Sequence, residues 1–354
     1  MVNIRAAIDT SSLTSGHSVR GIGVHTRELV GQLTGKKWKG IKIESVDFTR
    51  SDLTRYDIVH YSYFHPHFLT LPFKKLAKMV VTIHDLIPLI YPKYYPPGLK
   101  GDLKFLVQKF LVRRADAIIT ISETSKKDIV RFLGVPEDKI HVVYLAPKKQ
   151  FEQLKAGGWQ EKIRKHYHLP SRFVLYVGDV NYNKNLNALA RACKLAKVTL
   201  VIVGKQAVEE NFNRAHPENQ TLARLINKYG KDPGVIRLGF VPDEELVKLY
   251  NLATVYCQPS LYEGFGLPVL EAMACGCPTV AARSQSLVEI AEGAAIFVDP
   301  KVPANIASGL KKVMSNSSLQ KDLISKGLEH VKKFSWDSVA DETIKVYQKV
   351  VSQS

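Results

Sequence analysis

The chain has 354 residues, of which 45% are hydrophobic and 23% are charged, and it carries a formal net charge of +17. This composition is that of a globular protein and excludes a disordered or fibrous chain, while the length favours two domains over a single core. No apolar run approaches the ~20 residues that span a bilayer, and the first residues lack the apolar core of a signal peptide, so we expect a cytoplasmic location.

The positive charge is concentrated in the first half of the chain. Residues 1–168 contain 28 Lys and Arg against 15 Asp and Glu, a net charge of +13, whereas residues 169–354 contain 22 against 18, a net charge of +4. Such a bias indicates an anionic partner for the first half: nucleic acid, a membrane surface or a phosphorylated substrate. The alternative is a generally lysine-rich protein with no such partner.

Short β-rich runs alternate with helical patterns in this first half. The predicted strands are Val2–Ile8, Ile41–Val46, Ile58–Tyr61, Met79–Ile83, Ala117–Ile121 and Ile140–Val143. The predicted helices between them are Gly23–Leu33, Leu99–Arg114 and Ser125–Phe132. Residues 148–168 are polar and contain two adjacent glycines, and this composition predicts a linker region.

A second alternating series follows that segment. Its predicted strands are Phe173–Val177, Leu200–Val203, Val235–Leu238, Val255–Cys257, Thr279–Ala281 and Ala295–Val298. Strands separated by helices of this length favour parallel sheets built from right-handed βαβ units. The sequence therefore predicts an α/β protein with two doubly wound, Rossmann-like domains that face a cleft. The predicted boundaries are 1–168 and 169–335, followed by a last helix within 336–354.

In open parallel sheets ligands bind at the carboxyl ends of strands, and two such places stand out in the first half. Gly21 and Gly23 precede a helix in an imperfect G-x-G-x-x-G pattern, with Thr26 where the third glycine belongs. A plain turn is the alternative to an anion site there, and a nicotinamide-cofactor site is a further interpretation of the pattern. His84 and Asp85 follow the fourth strand, where a side chain projects from the sheet, and a purely structural histidine is the alternative.

A third place follows the first strand of the second series, in "VLYVGDVNYNKNLNALARA". Gly178 lets the chain turn, and Lys184 stands just before a helix N-terminus. A cation and the helix dipole together favour a phosphate at such a position. The alternative is a solvated surface lysine.

The fourth place is "YEGFGLPVLEAMACGCP", residues 262–278, which joins a glycine-rich loop to an apolar helix. Gly264 and Gly266 allow close backbone approach, and a diphosphate fits the start of the helix. Glu271 is a carboxylate inside the helix with no partner apparent in the sequence, and burying it is costly unless something binds it. With Glu263 in the loop, it indicates a ligand with hydroxyls on both sides of a pyrophosphate, which is the shape of a nucleotide sugar.

Together these motifs resemble one family. The chain is similar to the retaining glycosyltransferases of family 4, with the GT-B fold, and among them to the bacterial mannosyltransferase-like branch of O-antigen and exopolysaccharide assembly. The resemblance covers nearly the whole chain and rests on "RGIGVHTREL", "TIHDLIPLIYPKYYPP", "RRADAIITISETSKKDIVRFLGVPEDKI", "YVGDVNYNKNL", "LGFVPDEELVKLY", "PSLYEGFGLPVLEAMACGCPTVAA" and "FSWDSVADETIKVY".

The resemblance implies roles for individual residues. The residues implied to bind the donor are Gly21, Gly23, Gly178, Lys184, Glu263, Gly264, Phe265, Gly266, Leu267 and Glu271. Among them Glu271 would hold the nucleotide ribose, Glu263 the donor sugar and Lys184 the diphosphate, and the loop at the first two glycines would close over the phosphates. His84 would face the transferring sugar, which makes His84, Lys184 and Glu263 the implied catalytic residues. The last helix, Trp336–Val351, would return to the first domain.

The implied reaction moves a hexose, with mannose the best candidate, from a GDP- or UDP-linked sugar to a glycan or lipid-linked acceptor, with retention of configuration. The leaving phosphate would accept the acceptor's proton, and the protein would position the reactants and stabilise the leaving diphosphate. No D-x-D pattern follows a strand and the cysteines lack zinc spacing. We therefore expect no metal, and no cofactor other than the nucleotide-sugar donor.

One position departs from the family pattern. Many relatives carry an arginine directly after the glycine of the third strand-end loop, where this chain has Asp179. An acid repels a diphosphate unless it points away, so we expect Lys184 to carry that role with the help of the helix dipole. Arg283 is a candidate substitute.

Two other functions remain open from the sequence. A nucleotide-sugar epimerase or a phosphorylase would keep the fold and change the chemistry. A nucleic-acid-binding protein would explain the positive charge, but the sequence lacks helix-turn-helix, zinc-finger and aromatic-interleaved basic motifs.

The basic first half also contains an apolar stripe. In the predicted helix Leu99–Arg114, Leu99, Leu103, Leu106 and Phe110 fall on one face, among lysines and arginines. Core packing is the usual explanation. The alternative is that this helix, with Tyr94 and Tyr95, rests on an anionic membrane, which would make the protein peripheral on the inner membrane face and present it to a lipid-linked acceptor.

Overall fold

A computed structural model describes residues 4–13 and 21–352 of the chain. Its contacts form two compact units, one of Met1–Ala146 with Phe334–Ser354 and one of Pro147–Lys333. The chain therefore passes between the units at residues 146–147 and again at 333–334. Within the described residues, no helix is both long enough and apolar enough to cross a membrane.

The first unit is built on a parallel six-stranded sheet. Its strands are β1 (Ile4–Asp9), β2 (Ile41–Val46), β3 (Ile58–Tyr61), β4 (Lys78–Ile83), β5 (Ala117–Thr120) and β6 (Ile140–Val142), in the order β2-β1-β3-β4-β5-β6. Its helices are α1 (Gly21–Thr34), α2 (Ile87–Ile90), α3 (Gly98–Arg113) and α4 (Glu123–Asp128), the last continued by a π-helical turn over Ile129–Leu133.

The second unit repeats this architecture. Its strands are β7 (Phe173–Val177), β8 (Thr199–Val203), β9 (Val235–Gly239), β10 (Val255–Gln258), β11 (Thr279–Ala282) and β12 (Ile296–Val298), all parallel, in the order β12-β11-β10-β7-β8-β9. Its helices are α5 (Trp159–His166), α6 (Leu186–Ala196), α7 (Gln220–Tyr229), α8 (Asp243–Leu252), α9 (Leu267–Ala274), α10 (Gln285–Ala291), α11 (Pro303–Ser315) and α12 (Ser317–Val331).

The last helix, α13 (Trp336–Ser352), belongs to the first unit, where it contacts α1, β4 and β5. One long face of α13 is buried, including Trp336, Ile344 and Tyr347. An amphipathic helix with such a face needs an apolar surface to cover it, and the sheet of the first unit supplies that surface.

The segment predicted as a linker contains α5, which packs against α8 of the second unit. Its Ile163 is buried, and Tyr167, just past its end, donates a hydrogen bond to Glu245. The helix was not predicted because the segment is polar and only one residue of α5, Ile163, is buried. The contacts place the change of unit at Ala146, ahead of the predicted boundary at residue 168.

The predicted strands all overlap observed ones, although Val2 and Asn3 of the first lie outside the described residues. Strands such as β3 and β5 are buried at every position, since a parallel sheet is covered on both faces. Their polar side chains, His60 and Thr120, are hydrogen-bonded. The chain order reverses between β1 and β3 in the first sheet and between β7 and β10 in the second. Ligands of open α/β sheets bind at such reversals, beyond the carboxyl ends of the strands.

Candidate active site

Two loops of the second unit meet where its strand order reverses, one after β7 and one after β10. The Asn183 side-chain amide donates to the Tyr262 carbonyl (3.0 Å), and the Leu261 backbone N–H donates to the Asn183 carbonyl (2.7 Å). Asn185, with a left-handed backbone (φ 59°), donates to the carbonyls of Pro259 (3.0 Å) and Pro300 (2.7 Å). The asparagines of "NYNKN" thus fix the relative positions of the two loops.

Glu263 is held by several hydrogen bonds at this place, and only 6% of it is exposed. It accepts two hydrogen bonds from the Lys184 ammonium (2.8 and 2.9 Å), one from the Gln258 amide (2.7 Å) and one from the Ser260 hydroxyl (2.6 Å). These donors compensate the cost of burying the polar oxygens of this side chain. The structure brings together Lys184 and Glu263, which the sequence assigned to different parts of the ligand.

Behind Glu263, a buried polar chain leads into the sheet. The Tyr256 hydroxyl donates to the Gln258 side-chain oxygen, which orients the Gln258 amide nitrogen toward Glu263. The Glu263 backbone carbonyl accepts from the Ser286 hydroxyl (2.7 Å). Both the side chain and the backbone of Glu263 are thus held by protein groups, which is the preorganisation that electrostatic catalysis requires.

The backbone conformation at the end of this loop requires a glycine. Gly266 has φ +113°, and a Cβ added there would lie 2.5 Å from the Leu287 side chain. Helix α9 begins at the next residue, Leu267, with Pro268 in its first turn, where a missing N–H does no harm. Phe265 is buried, so the loop presents backbone rather than large side chains at the start of α9.

Glu271 lies one turn inside α9 and is buried, as predicted from its place in the apolar helix. It is not without a partner, because the Tyr250 hydroxyl of α8 donates a hydrogen bond to it (3.0 Å). Burial raises the pKa of Glu271 to about 7, although the Tyr250 hydrogen bond and the charge of Lys148 act in the opposite direction. The ion pair of Lys148 with Asp243 (2.5 Å) supplies both signs of charge near this carboxyl.

The loop after β7 turns at Gly178, whose φ is +145° and whose added Cβ would lie 2.9 Å from the Tyr176 hydroxyl oxygen. That hydroxyl donates to the backbone carbonyl of Asp179 (2.9 Å). Arg283, the candidate substitute for the missing arginine, follows β11, which lies beyond β10 from β7. Its guanidinium is over the Phe297 ring, 5.4 Å from the ring centroid. Arg283 therefore contacts Phe297, and the strand that it follows is not adjacent to β7. Its role at the diphosphate stays a prediction.

In the first unit, His84 follows β4 and is buried. Its Nε2 hydrogen-bonds the Nδ1 of His25 in α1 (2.9 Å), with the two rings edge to face. The His84 backbone carbonyl accepts from the Ser125 hydroxyl (2.9 Å). Burial, with a smaller contribution from nearby His60, lowers the pKa of His25 to about 3, so this ring is neutral at physiological pH.

Another buried histidine, His60, lies near His25 and His84 and makes two hydrogen bonds. His60 of β3 hydrogen-bonds the Tyr347 hydroxyl of α13 through Nδ1 (2.7 Å) and the Thr82 hydroxyl of β4 through Nε2 (2.8 Å). Burial, with the neighbouring His84, lowers the pKa of His60 to about 3. The ring of Trp336 lies 6.1 Å from that of His25. Helix α13 therefore supplies two side chains around the histidines at the strand ends.

Gly21 and Gly23 are the first and third residues of α1, and not part of a loop as predicted. Thr26, in place of the third glycine, is fully buried and donates to the Ile22 carbonyl (3.0 Å). Its hydroxyl also accepts from Ser12 (3.1 Å), so this departure from the glycine pattern has a packing role. The preceding part of the predicted loop, residues 14–20, lies outside the described residues.

Several polar residues at these strand ends were not assigned from the sequence. They are His25, His60 and Tyr347 in the first unit and Tyr250, Gln258 and Ser260 in the second. Four of the six lie within the quoted motifs, and Gln258 stands one residue ahead of "PSLYEGFGLPVLEAMACGCPTVAA". A glutamine at the end of a fully apolar strand was the available signal, since it must be hydrogen-bonded there. Among the described residues, no group of three or more His, Cys, Asp or Glu is arranged to hold a metal ion.

Comparison with known proteins matches both units. The family model "Glycosyl transferases group 1" matches residues 160–330, and "Glycosyltransferase Family 4" matches residues 48–146. The chain is 29% identical over 294 residues to O-antigen chain mannosyltransferase B of Escherichia coli, covering 80% of this chain and 74% of that protein. It is 28% identical over 285 residues to serotype-specific mannosyltransferase WbdA of Escherichia coli, covering 78% of this chain and about a third (34%) of that longer protein.

The fold has solved counterparts. The structure of Anabaena Alr3699/HepE in complex with UDP and glucose superposes with a TM-score of 0.74 at 15% sequence identity, covering 98% of this chain and all (100%) of that one. Sucrose-phosphate synthase from Thermosynechococcus elongatus gives a TM-score of 0.73 at 18% identity over 99% of this chain and 100% of that chain. The chain is a glycosyltransferase with the GT-B fold. Among these enzymes it resembles the bacterial mannosyltransferases, as the sequence motifs predicted.

Proposed function

We propose that this enzyme transfers a hexose, most simply mannose, from a nucleotide diphosphate sugar to a glycan or lipid-linked acceptor, with retention of configuration. The observation that carries the proposal is the buried carboxylate of Glu263, held by Lys184, Gln258 and Ser260 at the strand reversal of the second unit. A charged group fixed at the start of α9 is suited to bind sugar hydroxyls next to a diphosphate.

Donor recognition follows from the two acids of α9 and its loop. Glu271 lies one turn inside the helix, where its carboxylate would accept hydrogen bonds from the ribose hydroxyls. The Tyr250 hydroxyl, already bonded to one of its oxygens, would fix the orientation of the carboxyl group. The backbone of Gly264, Phe265, Gly266 and Leu267 would approach the phosphates, with Gly178 allowing close approach from the other loop.

Catalysis would consist of positioning and charge stabilisation. Lys184 would neutralise the charge that develops on the leaving diphosphate, and its ion pair with Glu263 holds the ammonium in place in advance. The leaving phosphate would take the acceptor's proton, so the mechanism uses no side-chain base. His84 would contact the transferring sugar, in a tautomer set by its hydrogen bond with His25. In this scheme no metal ion and no cofactor other than the donor is required.

The choice of mannose rests on the two mannosyltransferase relatives. One solved structure of similar fold contains UDP and glucose, so donors with either base are tested, beginning with GDP-mannose. The acceptor would be a growing glycan, free or lipid-linked, in polysaccharide biosynthesis. We place the enzyme in the cytoplasm, at an anionic membrane surface.

The test is transfer itself. GDP- and UDP-linked hexoses would first be ranked by the rise in melting temperature, since a ligand that binds only the native state stabilises it. The best donor is then incubated with mannosylated acceptors, and the product anomer is determined by NMR. We expect the product to keep the donor's configuration, and activity to persist in chelator.

The control is the same reaction with Glu263→Gln and with His84→Ala, both expected to lose turnover by about 10²–10³. Inversion of configuration, or conversion of the donor to another nucleotide sugar without acceptor, would contradict the proposal. A requirement for added divalent metal would contradict its charge-stabilisation step.

A further inference from the structure

Helix α3 carries apolar side chains on two opposite faces. Gly101, Gln108, Leu111 and Val112 are buried against the first unit. Leu99, Leu103, Leu106 and Phe110 lie on the opposite face and are between 63% and 91% exposed. The expectation that this stripe packs in the core is therefore wrong. The inner face of α3 does that instead, and the stripe is left in water.

A neighbouring loop extends this apolar surface. Residues 65–76 run along α3: the Lys104 ammonium is over the Phe68 ring (5.7 Å to its centroid), and Arg114 donates to the Phe73 carbonyl (2.7 Å). Gln108 anchors the middle of the loop by donating to Thr70 (2.6 Å). Four large apolar side chains of this loop are between 43% and 67% exposed, namely Phe68, Leu69, Phe73 and Leu76.

We call these eight exposed residues, four on α3 and four on the loop, the α3 face. A face of this size is unusual for a protein surface and indicates an interaction site. Tyr94 and Tyr95, which the sequence suggested as part of the patch, are half-buried, so the loop takes the place that the tyrosines were expected to fill.

Positive charge surrounds the α3 face. Residues 68–114 contain nine Lys and Arg against two Asp, a net charge of +7. At 100° per residue, Lys100 and Arg114 lie on one side of the α3 stripe and Lys109 and Arg113 on the other. Exposed leucine and phenylalanine with basic residues on both flanks form the pattern of a helix that lies in the plane of a membrane interface.

We propose that the α3 face inserts into the headgroup region of an anionic bilayer. The exposed apolar side chains would enter the acyl boundary, and the flanking lysines and arginines would remain at the level of the lipid phosphates. This deepens the proposed function, since it would hold the enzyme at the surface where a lipid-linked acceptor is found. The biological purpose of this binding rests on the proposed function. The binding itself is a separate property of the α3 face and can be measured without sugar transfer.

Charge complementarity favours lipid over a second copy of this chain. Two identical α3 faces brought together would place their lysines and arginines against one another, and like charges across an interface oppose association. An anionic bilayer offers negative charge over the basic flanks and an apolar layer under the stripe. Such a surface matches both parts of the α3 face.

The experiment is co-sedimentation of the full chain with vesicles of phosphatidylcholine alone or with about 30% phosphatidylglycerol, at low and high salt. We expect binding to the anionic vesicles and little to the neutral ones. Leu103→Ser/Phe110→Ser should weaken binding by at least about tenfold, because each side chain loses most of its transfer from water. Lys74→Gln/Lys100→Gln should weaken it by about 25-fold, since each basic residue contributes about fivefold.

Matched controls come from the second unit. Leu195→Ser/Phe240→Ser removes two exposed apolar side chains, and Lys311→Gln/Lys312→Gln removes two exposed lysines. Both controls should bind vesicles as the unchanged protein does. All four variants should keep their melting temperature, because every altered side chain is exposed or on the surface.

Three results would overturn the proposal. One is equal binding to neutral and anionic vesicles or to neither, and another is vesicle binding that the control pairs reduce as much as the α3 pairs do. The third is a dimer in solution that Leu103→Ser/Phe110→Ser converts to monomer, which would make the α3 face an interface between copies. Sugar transfer to a soluble acceptor, measured without vesicles, tests the proposed function separately, and the α3 variants should leave it unchanged.

Discussion

At the residue scale, Lys184 and Glu263 form an ion pair that matters for stability as well as for ligand binding. Glu263 is nearly fully buried and Lys184 is about a quarter (24%) exposed, so each neutralises a charge that would be costly alone. Changing one partner therefore affects the fold and the chemistry together. A single substitution cannot separate the two effects, whereas a charge-balanced pair can.

We predict that Lys184→Met lowers turnover by about 10²–10³ and also lowers the free energy of unfolding by about 1–3 kcal/mol, because Glu263 is left without its cation. The double variant Lys184→Met/Glu263→Gln should recover most of the stability and none of the turnover. Denaturant unfolding and initial rates measure the two quantities. A double variant with normal turnover would remove Lys184 from the diphosphate, and Arg283 would be examined next.

Glu271 supplies a prediction about pH. Its folded pKa of about 7 lies above the ordinary value of 4.5, so the folded protein without ligand binds the extra proton more tightly than the unfolded chain. The contribution of this group to stability is present below pH 4.5 and is lost as pH rises through about 7. At about 1.4 kcal/mol per pKa unit the loss is roughly 3 kcal/mol as an upper bound.

Donor binding should show the opposite trend. If ribose hydroxyls donate to the Glu271 carboxylate, the donor binds the deprotonated form, and its affinity increases as pH rises through about 7. We expect calorimetric titration between pH 5.5 and 8.5 to show this rise, a range chosen to bracket that pKa. Glu271→Gln should bind about 10- to 100-fold more weakly with a flat profile, equivalent to about 1.5–3 kcal/mol. The same slope in Glu271→Gln as in the unchanged protein would assign the titration to another group.

At the scale of elements, α13 does more than close the first unit. It is the last helix of the chain, yet Tyr347 and Trp336 reach the histidines that follow the strands near the start. Tyr347 is fully buried, and its hydroxyl satisfies one nitrogen of His60. Helix α13 thereby fixes the ring of His60 and, next to it, the surroundings of His84.

We predict that Tyr347→Phe lowers the free energy of unfolding by about 1–3 kcal/mol, because it leaves a His60 nitrogen buried without its partner. Tyr144→Phe, at a tyrosine that is 41% exposed, is the matched control and should have a much smaller effect. Chemical denaturation of both variants makes the comparison. Equal effects of the two substitutions would mean that the His60–Tyr347 hydrogen bond contributes no net stability.

At the scale of the whole molecule, each unit has its own sheet and its own apolar core. Three residues proposed to bind the donor lie in the second unit, namely Lys184, Glu263 and Glu271. The α3 face and the buried histidines lie in the first unit. The nucleotide part of the donor and the lipid are therefore assigned to different units. Calorimetry can test this assignment, since a ligand raises the melting temperature of the unit that binds it.

We predict that the preferred nucleotide, added without acceptor, raises the melting transition of the second unit. Tyr347→Phe should lower the transition of the first. If the units melt separately, the two perturbations move different transitions, and differential scanning calorimetry resolves them. A nucleotide that stabilises only the transition lowered by Tyr347→Phe would place the donor site in the first unit and contradict the assignment.

The sequence by itself determined the elements and the family. Strands such as β3, β5 and β10 could be predicted because a strand covered on both faces is mostly apolar, with one polar residue in each of these three. The glycines at 178 and 266 could be recognised as turn residues because their positive φ angles disfavour any residue with a side chain. Glu263 and Glu271 were readable because an acid beside or within an apolar helix requires a binding partner.

Only the tertiary structure decided which residues meet. Lys184 with Glu263, Glu271 with Tyr250 and His84 with His25 are all pairs that are distant in the chain, so no local pattern specifies them. The α3 helix shows the same limit in its packing. It has apolar residues on two faces, and periodicity identifies a face without telling which of two will be covered. Leu111 and Val112 join the apolar core of the first unit, Gly101 on the same side lies against Pro97 and His67, and the leucine stripe is left outside.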